Sequence, residues 1–141
     1  MIRKSESKDV DTILNIWLSA SVKSHNFIEP DFWQSQVDNM RDVYLPASDV
    51  YVYEQNGKVA GFYALYDTTL AAIFVEPALQ GQGIGGELLS HAKSQRDELK
   101  LTVYKANVQS CYFYQKHGFA VLGEQVDPHT GHTELLMSTV K

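Results

Sequence analysis

From Pro77 to Leu89 the chain reads PALQGQGIGGELL, with glycine at 81, 83, 85 and 86. The apolar run TLAAIFV ends just before it, and Ile84, Leu88, Leu89 and Ala92 follow at helical spacing. A strand must therefore give way to a helix through backbone that side chains do not obstruct. Glycine reaches positive φ without penalty and lets the backbone approach a neighbour closely. The helix start leaves unpaired N–H groups at the positive end of its dipole. Two readings fit these residues alone: a plain left-handed turn, or a cradle for a phosphate-bearing ligand.

Gly81, Gly83 and Gly86 also spell G-x-G-x-x-G, the dinucleotide pattern, which needs an Asp or Glu about 20 residues further on. Residues 102–107 read TVYKAN, without an acid, and a chain of 141 residues leaves too little after the loop to complete a dinucleotide domain. No Lys-Ser or Lys-Thr follows the glycines, so a P-loop fails as well.

The rest of the chain reads as one domain without repeats or linkers. A short edge strand is expected at 2–4, a helix over 8–21, and a second helix from Pro30 carrying Trp33, Val37, Met40 and Tyr44, with Pro46 beyond its end. Strands follow at 50–53 and 59–66 around Asn56-Gly57, a tight-hairpin signal, and at 69–75. After the glycine loop and its helix come a strand at 99–103, a helix over 108–117 stopped by Gly118, and a closing hairpin of 119–126 with 133–138. This order predicts an α/β domain with a mixed sheet.

Composition narrows the function. The net charge is −5 and no basic cluster stands out, which argues against nucleic acid. No apolar run approaches the ~20 residues of a membrane span, and the start MIRKSESKDV lacks a signal-peptide core. Cys111 is the one cysteine, so a reducing, cytoplasmic setting is expected. Asp127, His129 and His132 sit among turn residues without a further ligand, so no metal is expected.

Two motifs carry a resemblance. The stretch Ile73-Phe74-Val75-Glu76-Pro77 followed by Gln80-Gly81-Gln82-Gly83-Ile84-Gly85 resembles motif A of the GNAT N-acetyltransferase superfamily, Q/R-x-x-G-x-G/A. Downstream, Asn107 and Tyr114 in NVQSCYFYQKHGF resemble its N-x₆-Y-x₃-GF signature, and the element order is similar over nearly all of the chain. The resemblance implies the GNAT (acyl-CoA N-acyltransferase) fold: a mixed, mostly antiparallel sheet of six to seven strands, about four helices, and one parallel strand pair splayed apart. It also implies transfer of an acetyl group from acetyl-CoA, as co-substrate, to a primary amine by direct attack. The alternative is an acyl-CoA-binding regulatory module without turnover.

On that resemblance the pantetheine arm pairs with backbone groups of Ile73, Phe74 and Val75, and the pyrophosphate meets the N–H groups of residues 82–86, including Gly86. Gln82 stands where the family often carries Arg or Lys, so Lys116 or Lys105 is expected to meet the 3′-phosphate instead. Asn107 contacts the pantetheine amide or caps a helix. Tyr114 corresponds to the acid that protonates the departing thiolate, an N–H near Phe74 or Val75 polarises the thioester carbonyl, and the acceptor is a small-molecule or protein amine.

That amine needs a base. A lysine-like amine with pKa ~10.4 is neutral in about one molecule in 2,500 at pH 7, a handicap of roughly 4–5 kcal/mol. Family members often place a carboxylate where this chain has Thr102. Glu76 and His25, the latter in SHNFIEPDFW, are the replacements expected here, with Glu29 and Asp31 able to attract a cation. A homodimer through the last hairpin is a further expectation.

Overall fold

In the computed structural model, which describes residues 1–139, the strands expected at 2–4, 50–53, 59–66 and 69–75 form one side of a seven-stranded sheet. The strands β1 (Ile2–Lys4), β2 (Asp49–Gln55), β3 (Lys58–Tyr66) and β4 (Thr69–Val75) join antiparallel. Next to β4, and parallel to it, lies β5 (Lys100–Tyr104). The closing hairpin of β6 (Phe119–Val126) and β7 (Thr133–Thr139) completes the order β1-β2-β3-β4-β5-β7-β6. Asn56 and Gly57 both take positive φ, +54° and +77°, as the hairpin signal requires.

Helices cover both faces. On one side α1 (Val10–Ser24) and the segments after it pack Ile13, Ile16, Trp17, Trp33 and Met40 against Val52, Phe62 and Ala64. On the other, α5 (Ile84–Gln95) lays Ile84, Leu88, Leu89 and Ala92 on Tyr63, Leu65 and Leu101, with α6 (Val108–Lys116) alongside. The strands thus alternate between two cores, one per face.

The second helix differs from expectation. It breaks into α2 (Pro30–Ser35), α3 (Val37–Asn39), a π-helical turn (Met40–Tyr44) and α4 (Leu45–Ala47). Pro46 therefore lies inside the last segment rather than beyond the helix. The wider turn inserts one residue into the spacing. Leu45, 8% exposed, takes the inward place expected of Tyr44, which is 57% exposed.

One glycine that the sequence reading passed over holds the layers together. A Cβ on Gly61 of β3 would stand 2.8 Å from the Phe74 carbonyl oxygen and 3.1 Å from Leu88 Cδ1. Gly61→Ala should therefore lower stability by about 1–3 kcal/mol through overpacking. An unchanged denaturation midpoint would contradict this account of the contact between β3, β4 and α5.

Candidate active site

Only one residue pair, Thr69 with Lys100, joins β4 to β5. The β3–β4 register explains the divergence that follows. Ala64 pairs with Ala72 but Leu65 pairs with Leu70, so Ala71 is an extra residue, a bulge that bends β4. Beyond it the parallel strands separate and leave a cleft of about 1020 Å³, lined from α1, β4, the glycine loop, β5 and α6.

The bulge also decides which backbone groups face the cleft. The Glu76 N–H donates to the Ala60 carbonyl at 2.8 Å. Antiparallel alternation then turns the groups of Ala72 and Phe74 toward β3, and those of Ile73 and Val75 toward the cleft. Consistent with this, the Val75 carbonyl accepts from Gln80 Nε2 at 3.2 Å. The backbone of Phe74, expected in the same row, is engaged with Phe62 of β3 instead.

In the loop, Gly81 and Gly83 have φ of +84° and +86°, and Gly83 is the N-cap of α5. Gly85 and Gly86 lie inside α5 and need no positive φ. A Cβ on Gly85 would lie 3.5 Å from the Phe113 ring, and one on Gly86 would lie 3.4 Å from His117 Nε2. Both are ordinary contact distances, so a methyl at either position would fit between α5 and α6. Of the residues expected to meet the cofactor, all but Gln82 and Lys105 line the cleft.

Cations gather at this end. Lys116 lines the cleft from α6, and so does Lys23 from α1, its Nζ donating to Gln80 Oε1 at 3.4 Å. Lys105 is drawn away, paired with Glu124 at 2.6 Å. Lys23 carried no motif, and only the fold brings it here.

His25 and Asn107, 82 residues apart in the chain, meet at the far end of the cleft. His25 Nδ1 stands 2.9 Å from the Ser21 carbonyl, which can only accept, so Nδ1 carries the proton. Nε2 is then the acceptor of the Asn107 amide N–H at 3.3 Å. The Asn107 Oδ1 accepts from the Ser110 N–H at 3.3 Å and caps α6. One amide thus starts a helix and fixes an imidazole.

Burial pushes the His25 pKa down, opposed by its bond to Ser21. An unfolded histidine takes up a proton near pH ~6.5 while the native one resists. Its stabilising contribution is therefore full above that pH and lost as the pH falls. We expect His25→Gln to flatten the loss of stability between about pH 7 and pH 5 relative to wild type. Identical pH slopes in urea denaturation would refute it.

Tyr114 lines the cleft, with its ring edge-on to Phe113 and Phe119 at 5.5 and 5.8 Å. Burial, and secondarily Cys111, pushes its phenol well above the ordinary range, so it stays protonated. Glu76 is absent from the lining; its carboxylate accepts from the Ala78 N–H at 2.9 Å and caps the 3₁₀ turn Pro77–Leu79. Glu134 of β7, which the sequence did not single out, does line the cleft. Among the described residues no three His, Cys, Asp or Glu side chains could hold a metal ion. Asp127 instead organises its own turn, accepting from the Tyr104 hydroxyl and from the His129 N–H. No helix among the described residues is long and apolar enough to cross a membrane.

This arrangement has relatives. A family model described as an acetyltransferase (GNAT) domain matches residues 46–121. The chain is 33% identical over 123 residues to the peptidyl-lysine N-acetyltransferase YiaC of Escherichia coli, covering 86% of this chain and 84% of YiaC. It is 28% identical to the peptidyl-lysine N-acetyltransferase YjaB of the same organism, over 86% and 83% of the two chains. The solution structure of apo YjaB superposes with a TM-score of 0.87 at 29% identity, covering 99% of this chain and 97% of that one. The PaiA N-acetyltransferase of Thermoplasma acidophilum, solved in complex with coenzyme A, gives 0.85 at 18% identity over 100% and 98%, a likeness of fold alone.

Proposed function

Because the chain belongs to the GNAT acetyltransferases, and is thus an acetyl-CoA-dependent N-acetyltransferase, we propose that it acetylates the ε-amino group of protein lysines. The lysine acceptor is carried over from relatives that are named peptidyl-lysine N-acetyltransferases. The observation that carries the site assignment is the divergence of β4 and β5 after a single bridging pair, with α5 starting at its mouth.

The residues present suit coenzyme A. Ile73 and Val75 offer a row of cleft-facing backbone groups to an extended, amide-bearing arm, as an added strand would use them. The first turn of α5 offers N–H groups to a pyrophosphate, and Lys116 of α6 and Lys23 of α1 line the same cleft. Bound acetyl-CoA supplies a thioester that an amine can attack.

The chain's own groups do the rest. The Val75 N–H, which faces the cleft, would donate to the thioester carbonyl and stabilise charge as it builds there. Tyr114, held protonated, donates to the departing sulfur. His25 holds Asn107, and with it the start of α6, against the far wall of the cleft.

The test is thiol release from acetyl-CoA with an unstructured lysine-containing polypeptide, its all-arginine counterpart, or a polyamine. The proposal expects release with the first alone, matched by acetyl-lysine in the peptide by mass spectrometry. Turnover of the polyamine with none of the polypeptide would overturn the acceptor.

A further inference from the structure

The cleft is electrically lopsided. Its glycine end carries Lys23 and Lys116, yet among the described residues that line it there is one carboxylate, Glu134. Glu134 lies opposite Tyr104 in the β5–β7 ladder, and Thr102 lies opposite Leu136. Residues 102 and 104 share a face of β5 because side chains alternate, so Glu134 presents its carboxyl on the same face as Thr102, one strand over. Gln125 Nε2 donates to Glu134 Oε1 at 2.7 Å, which steadies the carboxyl and leaves Oε2 available.

Of the other basic atoms of the cleft, His117 Nε2 stands against Gly86 at the glycine end, its Nδ1 facing the Phe113 carbonyl, and the rest are occupied. His25 Nε2 accepts from Asn107, and withdrawing it would release the residue that caps α6. The Tyr104 hydroxyl donates to Asp127, and burial followed by that bond pushes its phenol upward. Glu76 caps its turn outside the lining.

We propose that Glu134 is the catalytic base, drawing the acceptor ammonium into the cleft and taking its proton directly or through one water. The assignment rests on the acetyltransferase reading above. In balance, the ammonium gives one proton to the Glu134 carboxylate, and the neutral nitrogen then bonds to the acetyl carbon. The carbon–sulfur bond breaks with its electron pair on sulfur, and sulfur takes a proton from Tyr114. The second proton, lost by nitrogen as the amide forms, and the one held by Glu134 pass to solvent, from which Tyr114 is restored. Placing this carboxyl on β7 compensates for Thr102 at the position where a carboxylate is otherwise expected.

Glu134→Gln keeps the shape and an oxygen for Gln125, so the fold is expected to be retained, as thermal melting would verify. With a lysine peptide, kcat/KM should fall about a hundredfold, the scale of general-base catalysis. With an alkoxyamine or acyl hydrazide acceptor, already neutral at pH 7, the variant should stay within about twofold of wild type. Acetyl-CoA affinity by calorimetry should be unchanged. An equal loss with both amines, or none with the peptide, would overturn the role of Glu134. If wild type neither binds acetyl-CoA nor acetylates any amine, it is the acetyltransferase reading itself that falls.

Discussion

Replacing Tyr114 with phenylalanine should lower kcat by about a hundredfold, while the dissociation constant for acetyl-CoA stays within about twofold. The ring is what packs: its neighbours are Phe113 and Phe119, and the partly buried residue joins the core beneath α5. Phenylalanine keeps those contacts, so stability should barely move. The variant loses the proton aimed at the developing thiolate, an interaction that exists only as the carbon–sulfur bond opens, so the loss belongs in kcat. Single-turnover thiol release with saturating peptide reads it directly. A loss confined to KM would make Tyr114 a binding residue and move the acid elsewhere.

Gly83→Val should weaken acetyl-CoA binding by at least about tenfold, through backbone alone. Gly83 sits at φ +86° with nothing within 4 Å of where a Cβ would point, so the obstacle is conformational rather than steric contact. A β-branched residue held at that φ carries about 1–3 kcal/mol of strain, relieved only if the turn moves. Movement there swings the first N–H groups of α5 away from the cleft. Gly85→Ala is the matched control, because its Cβ would meet Phe113 and Val75 at 3.5 and 3.7 Å, ordinary contact distances. Equal affinities for the two variants would mean that the loop does not hold the phosphates.

These effects trace to features that differ in how openly the sequence carries them. The glycine loop, the Asn56-Gly57 hairpin and the strand at 69–75 are written in local residue types, and all lie where expected. The π-helical turn was not legible, because one inserted residue alters spacing without a distinctive residue to mark it. Glu134 escaped for a deeper reason. TELLMS alternates, with Leu135 and Met137 buried, but which strand Glu134 would face depends on a register set 30 residues earlier in β5. Lys23 likewise has no motif, since its place depends on how α1 crosses the sheet. The link between His25 and Asn107 joins two residues that were each noticed, and only the fold makes them one unit.

The lone bridge between Thr69 and Lys100 has a consequence for how the molecule breathes. A sheet joined across its middle by one pair has two ladders sharing a seam, β1–β4 and β5–β7, held to each other chiefly by the core that α5 lays over both. Local opening along such a seam has a free energy below that of global unfolding. Amide hydrogen exchange should find the β5–β7 ladder less protected than β2–β4 in the free protein. A ligand lying along the seam stabilises the closed arrangement by RT ln(1 + [L]/Kd), which raises protection on both sides at once. Acetyl-CoA would then act as an eighth strand, and each round of product release would briefly return the seam to its single bridging pair.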